Sequence, residues 1–394
     1  MQFFLSLICC IFAEYKINGV QDSKKNILFL INPKSGVGGK RSVPRLVRTL
    51  LDKNKFNVTI RETQYAMHAC ELAADAVKRG VDVVVAVGGD GTVNEVARSL
   101  VGSKTALGIV PCGSGNGLAR HLGIPIDVKR AIEFLNTAEV TAVDYGKING
   151  HSFFCTCGIG FDAFVSNTFA RGARRGLLGY MNQTLLDWLD YEPEVYELEG
   201  ESFKKSYKAF LVACANAAQY GNNAYISPNA SMRDGLLSIT ILEPFPAVDV
   251  PVILGQLFGR SLDKNGHIKT LESKWLRIKR KAPGPVHFDG EPAMMDAEIY
   301  IEMVPLGLNV LALPGWDGCS AVVPMHKQVF ELFSTPVMNV NIELPKVEFP
   351  KMEFPKVEFP KVEDLLPKIN IDEIKEKLPQ LPMLKNVRRG AKKK

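Results

Sequence analysis

The stretch Val87-Gly88-Gly89-Asp90-Gly91-Thr92-Val93-Asn94-Glu95 lies between an apolar run, Val83 to Val87, and a helical pattern, Val93 to Val101. A buried strand ends there, glycines turn the chain, and a helix begins. That geometry aims backbone N–H groups and the positive end of a helix at an anion. Gly88, Gly89 and Gly91 carry no side chain, so the backbone is able to approach a phosphate closely. Asp90 is a hard oxygen ligand suited to Mg²⁺ or its water shell, and Thr92 adds a hydroxyl. Taken alone, the segment also reads as a tight turn with an aspartate at the start of a helix.

The surrounding chain decides how that segment is used. Residues 26–136 alternate between strand and helix patterns: strands at Ile27–Ile31, Phe56–Ile60, Val81–Val87 and Ala106–Val110, and helices from Ser42, over Met67–Val77 and from Val93. Such alternation predicts a parallel sheet with right-handed crossovers, whose ligands bind beyond the carboxyl ends of the strands. Two further glycine loops fall on that edge. Asn32-Pro33-Lys34-Ser35-Gly36-Val37-Gly38-Gly39-Lys40 follows the first strand. It is not a P-loop, because Lys34 occupies the place of the first glycine and Arg41 that of Ser/Thr. Pro111-Cys112-Gly113-Ser114-Gly115-Asn116-Gly117 ends the fourth strand, with Arg120 just beyond as a candidate phosphate partner or a solvated surface residue.

From about Ala138 the rhythm changes. Val143 to Phe154 reads as a hairpin with an Asn149-Gly150 turn. Strands are expected at Tyr207–Ala213, Leu236–Ile241, His267–Ile278, Ala297–Ile301 and Leu308–Leu313, with helical inserts near Asp162–Tyr191 and Val248–Leu262. The fold class is therefore α/β: an N-terminal parallel-sheet domain with glycine loops at its ligand edge, then a C-terminal, mostly antiparallel domain. The expected boundaries are 1–25 for an N-terminal extension, 26–137 for the α/β domain, 138–316 for the β-rich domain and 317–394 for a tail. The tail repeats Pro-Lys-Val-Glu-Phe from Pro345 and ends in Arg388-Arg389-Gly390-Ala391-Lys392-Lys393-Lys394. Proline at that spacing forbids a helix, so a largely disordered arm is expected, and its basic end suits an anionic membrane surface.

Composition excludes some classes. The net charge is +6, of which residues 341–394 hold +4 from 13 Lys/Arg against 9 Asp/Glu. A nearly neutral body without interleaved aromatics does not read nucleic acid. Cys155-Thr156-Cys157 has no second cysteine pair or histidine cluster behind it, which argues against zinc, and the eight cysteines suit free thiols in a reducing, cytoplasmic compartment. Met1 to Ala13 is apolar but too short to span a bilayer. It reads either as residues upstream of the true start or as a membrane-touching segment. The apolar stretch Leu177 to Trp188, flanked by Arg171, Arg174 and Arg175, reads as a lipid contact or an ordinary amphipathic helix.

In the β-rich half, His287-Phe288-Asp289-Gly290-Glu291-Pro292 sets two carboxylates around one glycine. Phosphoryl transfer to a hydroxyl needs positioning, charge neutralisation and a carboxylate to take the proton. A carboxylate pair raises the proton affinity of one member. By itself the segment is equally an Asp-Gly turn.

Gly88-Gly89-Asp90-Gly91-Thr92, Pro111 to Asn116 and Asp289-Gly290-Glu291 together resemble the diacylglycerol kinase catalytic-domain family, which includes bacterial lipid kinases and sphingoid-base kinases. Asn32-Pro33-x-Ser35-Gly36 and Gly158-x-Gly160-Phe161-Asp162-Ala163 match further motifs, and the likeness covers about residues 26–316. The resemblance implies an N-terminal α/β nucleotide-binding domain and a C-terminal β-sandwich-like domain, with ATP contacts at Asn32, Pro33, Ser35, Gly36, Thr63, the Gly88–Asn94 loop (Val93 included), Gly113, Ser114 and Asn116. It implies Glu291 as proton acceptor with Asp289 beside it, Asp90 in the catalytic Mg²⁺ network, with Asp144 as a candidate to join it, and Ser231, Asp234 and Leu236 around a structural Mg²⁺. Asp162 is the candidate partner of a sphingoid amine, or a cap before a helix. Gly117 stands where several bacterial diacylglycerol kinases have Asp. The expectation is a Mg-ATP-dependent, peripherally membrane-associated lipid kinase, with the homodimer left open. A sphingoid-base kinase, an NAD-kinase-like enzyme and a non-catalytic nucleotide sensor are the alternatives.

Overall fold

The computed structural model describes residues 24–34, 40–171 and 191–320. Ser35, Gly36, the 177–188 stretch, the first 23 residues and the tail lie outside the described residues. In chain order the elements are β1 Lys25–Ile31, α1 Val43–Leu50, β2 Phe56–Glu62, α2 His68–Lys78, β3 Val83–Gly88, α3 Asp90–Leu100, β4 Ala106–Pro111, α4 Gly117–His121 and α5 Val128–Phe134. They continue with β5 Glu139–Ile148, β6 His151–Phe153, β7 Thr156–Gly160, α6 Phe161–Arg171, β8 Glu194–Gly200, β9 Lys204–Ala209, β10 Leu211–Ala215 and β11 Leu237–Leu242. The last are α7 Val250–Phe258, β12 Ile268–Ser273, β13 Trp275–Lys279, β14 Gly284–Phe288, β15 Glu291–Met295 and β16 Glu298–Ala312.

Strands β2-β1-β3-β4 are parallel, and β3 and β4 are apolar and buried along their whole length because helices cover both faces. This sheet does not stop at the fourth strand. β16 joins β4 at Val310 and Leu107, and the sheet runs on through β13, β8 and β9, with β5 on β16 and β6 on β5. A second sheet, β12-β11-β10-β7-β14-β15, is antiparallel throughout. Ile148, Leu276, Ile299 and Ile301 of the first sheet meet Ile159, Val212, Ile239 and Val286 of the second in one buried cluster. That face-to-face packing is the β-sandwich, and it forms one compact unit with the α/β layers.

Four expected strands differ in detail. Tyr207–Ala213 and His267–Ile278 each cross a corner where the chain leaves one sheet for the other, at Phe210 and at Lys274. Conversely, Ala297–Ile301 and Leu308–Leu313 belong to the single strand β16, interrupted by a register shift between Val304 and Leu308. Leu306 takes a φ of 49° in that bulge, and a Cβ on Gly307 would sit 2.4 Å from the Tyr145 ring. The Asn149-Gly150 turn is as expected, with φ of 45° and 85°. Among the described residues, no helix is long and apolar enough to cross a membrane.

His121, at the end of α4, is fully enclosed. Its Nδ1 accepts the Ala218 N–H at 3.0 Å and its Nε2 lies 3.0 Å from the Gly318 carbonyl, which assigns the neutral Nε2–H tautomer. Burial drives its pKa down from 6.5 to about 4, with Arg260 adding to the effect. The unfolded chain takes up this proton near 6.5 and the folded chain only near 4. The contribution is therefore full above pH 6.5 and is lost as the pH falls through that window, by about 3 kcal/mol at most. Urea midpoints measured across this range should fall less steeply for His121→Gln than for the wild type; equal slopes would contradict the assignment.

Candidate active site

The second and third glycine loops meet at the carboxyl edge of β3 and β4, and glycine is what lets them touch. A Cβ on Gly113 would lie 2.6 Å from the Gly89 Cα, and one on Gly88 would lie 2.5 Å from the Thr92 hydroxyl. Gly91 is different: among the described residues, nothing lies within 4 Å of the place its Cβ would take. It marks the open side of the loop. Asn32 Nδ2 donates to Thr92 Oγ1 at 3.0 Å, tying the first loop to the second. Thr63, just beyond β2, is buried against the same edge, its N–H donating to the Ile31 carbonyl. Pro33 and Ser114 are exposed there. No side chain caps the amino end of α3. Asn94, one turn in, is buried and its Nδ2 finds no partner among the described residues, an amide donor left for a ligand.

Asp90 turns toward the third loop. Its carboxylate accepts the N–H of Asn116 at 2.9 Å and of Gly117 at 2.8 Å. Each oxygen keeps lone-pair capacity, so the same group is able to brace the loop and face a hydrated cation. Asn116, at a φ of 53°, closes the loop on itself through Gly113. The segment after β10 wraps this loop from outside: Asn222 N–H donates to the Gly115 carbonyl, and a Cβ on Gly117 would meet the Tyr220 carbonyl at 3.1 Å. Gly117 thus answers to the Tyr220 backbone. Arg120 donates to the Gly115 carbonyl and to Asn223 Oδ1, so it buttresses the loop as well.

The β14–β15 turn brings the second half of the site. Asp289 (φ 51°) is half-buried, and its oxygens accept the backbone N–H groups of Phe154, Cys155 and Thr156 at 2.7, 2.7 and 3.0 Å. Burial pushes its carboxyl up to about 6, against the pull of those three donors and of Arg98. Sequence reasoning set Asp289 and Glu291 as a matched pair. Instead, Asp289 anchors the turn from within, and Glu291 is the carboxylate that reaches solvent. Glu291 Oε2 accepts Arg98 Nη2 at 2.7 Å, and the Arg98 guanidinium lies 5.6 Å over the Phe288 ring. Arg98 belongs to α3, the helix that starts at Asp90. The buried Cys155 thiol, pushed up by burial, is also raised by the negative charges of Asp289 and Asp90.

Glycine loops open to an anion, and a strand carboxylate held by an arginine of the adjoining helix, suit phosphoryl transfer. Residues 26–148 match the diacylglycerol kinase catalytic domain, and residues 155–312 match the YegS C-terminal NAD kinase beta sandwich-like domain. The chain belongs to the diacylglycerol kinase catalytic-domain family. Lipid kinase YegS of Escherichia coli (strain K12) is 29% identical over 268 residues, covering 66% of this chain and 88% of that protein. A crystal structure of a diacylglycerol kinase from Bacillus anthracis str. Sterne shares the fold, with a TM-score of 0.59 at 22% identity over 74% of this chain and 98% of that one.

In this member of the diacylglycerol kinase family, Asp162 is not an open anion. It opens α6, accepts the Ala163 N–H, and takes Tyr220 Oη at 3.1 Å and His287 Nε2 at 3.0 Å on one oxygen. The expected pairing with a substrate amine gives way to a polar clasp between α6, β14 and the segment that seats the third glycine loop. Tyr220 and Arg98 carried no signal in the sequence, since their roles depend on partners 58 and 193 positions away.

The Ser231–Leu236 segment lies apart from the glycine loops. Asp234 Oδ1 accepts the Leu236 N–H at 2.9 Å, and Ser231 Oγ accepts the Arg233 N–H. Burial raises the Asp234 carboxyl, and the negative charges of Asp144 and Glu272 add to the rise. Asp144 itself is buried and accepts the N–H groups of Gly235 and Leu306, so it braces this segment. An anionic spot of hard oxygens fits a magnesium ion that keeps much of its water. Among the described residues, no group of three or more His, Cys, Asp and Glu side chains is set to hold a metal.

Proposed function

We propose that this kinase transfers the γ-phosphate of Mg-ATP to the hydroxyl of a diacylglycerol-class lipid at a membrane surface. The observation that carries the reading is Glu291: a half-exposed carboxylate held by Arg98, on the helix whose first turn faces the nucleotide edge. The loops at Asn32, Gly88–Asn94 and Gly113–Asn116 hold the triphosphate with backbone N–H groups and the end of α3. Asp90 fixes the third loop and offers a carboxylate to the hydrated cation. Bound Mg²⁺ would neutralise phosphate charge as the bond to the leaving ADP breaks. Glu291 accepts the proton of the attacking hydroxyl. Asp289 acts at one remove by fixing the turn.

A sphingoid base is the weaker reading, because Asp162 is spoken for by His287 and Tyr220. The test offers γ-labelled ATP to the full chain with diacylglycerol, a sphingoid base and NAD in separate reactions. Label in diacylglycerol is expected. Label in the sphingoid base or in NAD alone would overturn the substrate assignment while leaving the kinase chemistry in place.

A further inference from the structure

The segment before and along α7 places an apolar surface in solvent. Val248 is 76% exposed, Val252 54% and Leu254 38%, and Pro244, Pro246, Ala247, Pro251 and Gly255 are exposed beside them. The helix reads VPVILGQLF, with no charged residue in nine. Its other side is anchored: Ile253 and Leu257 join Phe161, Phe210, Phe245 and Leu262 in a buried cluster. The two acids flanking the face have partners: Asp249 Oδ2 lies 3.0 Å from His267 Nε2, and Glu243 pairs with Lys269 at 3.6 Å. Lys264 and Lys269 stand exposed just beyond the helix in the chain.

We propose that this face, built on Val248, Val252 and Leu254, is the surface on which the kinase docks to a lipid bilayer. The proposal rests on the lipid-kinase reading, which puts the acceptor hydroxyl at a bilayer. A proline-rich turn and one short helix, apolar outward, with both flanking acids paired and the exposed Lys264 nearby, have the composition of an interfacial element over anionic headgroups. The chemistry favours lipid over a protein partner, because the face offers no hydrogen-bonding or charged group to fix a register. Docking there would also reach the site. The Leu257 carbonyl accepts the Tyr225 N–H at 2.9 Å, and that strap carries Tyr220 and Asn222 to the third glycine loop.

The test compares the full chain with Val248→Asp/Val252→Asp, both exposed positions, with circular dichroism to check the fold. Cosedimentation with phosphatidylcholine–phosphatidylglycerol vesicles is run in high salt, which screens the basic tail. Binding is expected to fall at least about tenfold in the variant. Turnover of long-chain diacylglycerol in vesicles should fall with it, and turnover of a water-dispersed short-chain diacylglycerol should be unchanged. Unchanged vesicle binding would overturn the proposal, and so would a shift of the variant from dimer to monomer without vesicles, which would make the face a contact between copies. If the wild type phosphorylates no diacylglycerol yet binds vesicles through this face, the substrate reading fails and the docking surface stands.

Discussion

Glu291→Gln is expected to lower kcat by about 10²- to 10⁴-fold while leaving the KM for ATP and the melting temperature close to those of the wild type. Glutamine keeps the length of the side chain and an oxygen able to accept from Arg98, so the β14–β15 turn stays in place. What it loses is the capacity to take a proton from the attacking hydroxyl. Arg98→Gln should be milder, because it removes the group that positions Glu291 and leaves the carboxylate intact. Single-turnover transfer of labelled phosphate measures both. Full activity in Glu291→Gln would remove the proton-acceptor role from this residue.

The glycines of the cradle give the second large effect, and they divide into two kinds. Gly113→Ala puts a methyl 2.6 Å from a backbone atom of Gly89 and 2.9 Å from Asn116 Oδ1, so two loops must part. A loss of about 1–3 kcal/mol in stability and at least about a tenfold loss in nucleotide affinity are expected. Gly91→Ala meets nothing within 4 Å and sits in the first turn of α3. Its stability should be equal or higher, since alanine favours a helix by roughly 0.5–1 kcal/mol over glycine. Yet its methyl enters the space the triphosphate would occupy, so nucleotide affinity should fall all the same. Calorimetric binding of an ATP analogue together with thermal melts separates the two. A Gly91→Ala protein that binds the nucleotide as the wild type does would place the phosphates elsewhere.

The contrast between these glycines shows what a single sequence carries. A glycine loop ending an apolar strand is legible because both the turn and the close approach demand that residue type locally. The parallel half of the fold was legible for the same reason, each strand and helix declaring its own period. The path of individual strands through the sandwich was not, because the corners at Phe210 and Lys274 and the bulge at Leu306 depend on which sheet accepts the strand. Within the site, Asp289-Gly290-Glu291 named two carboxylates, but only their surroundings separate them: three backbone donors inside for one, Arg98 and solvent for the other. Asp162 read equally as a ligand or a cap until His287 and Tyr220 filled its oxygen.

The central claim is that phosphate passes from ATP to a lipid hydroxyl. Its most direct measurement is stoichiometric: ADP released and lipid phosphomonoester formed, quantified together by mass spectrometry in mixed micelles of diacylglycerol. One ADP per lipid phosphate, with no ADP formed when the lipid is left out, is the expected result. ADP release at the same rate without lipid, or nucleotide binding with no ADP at all, would contradict it.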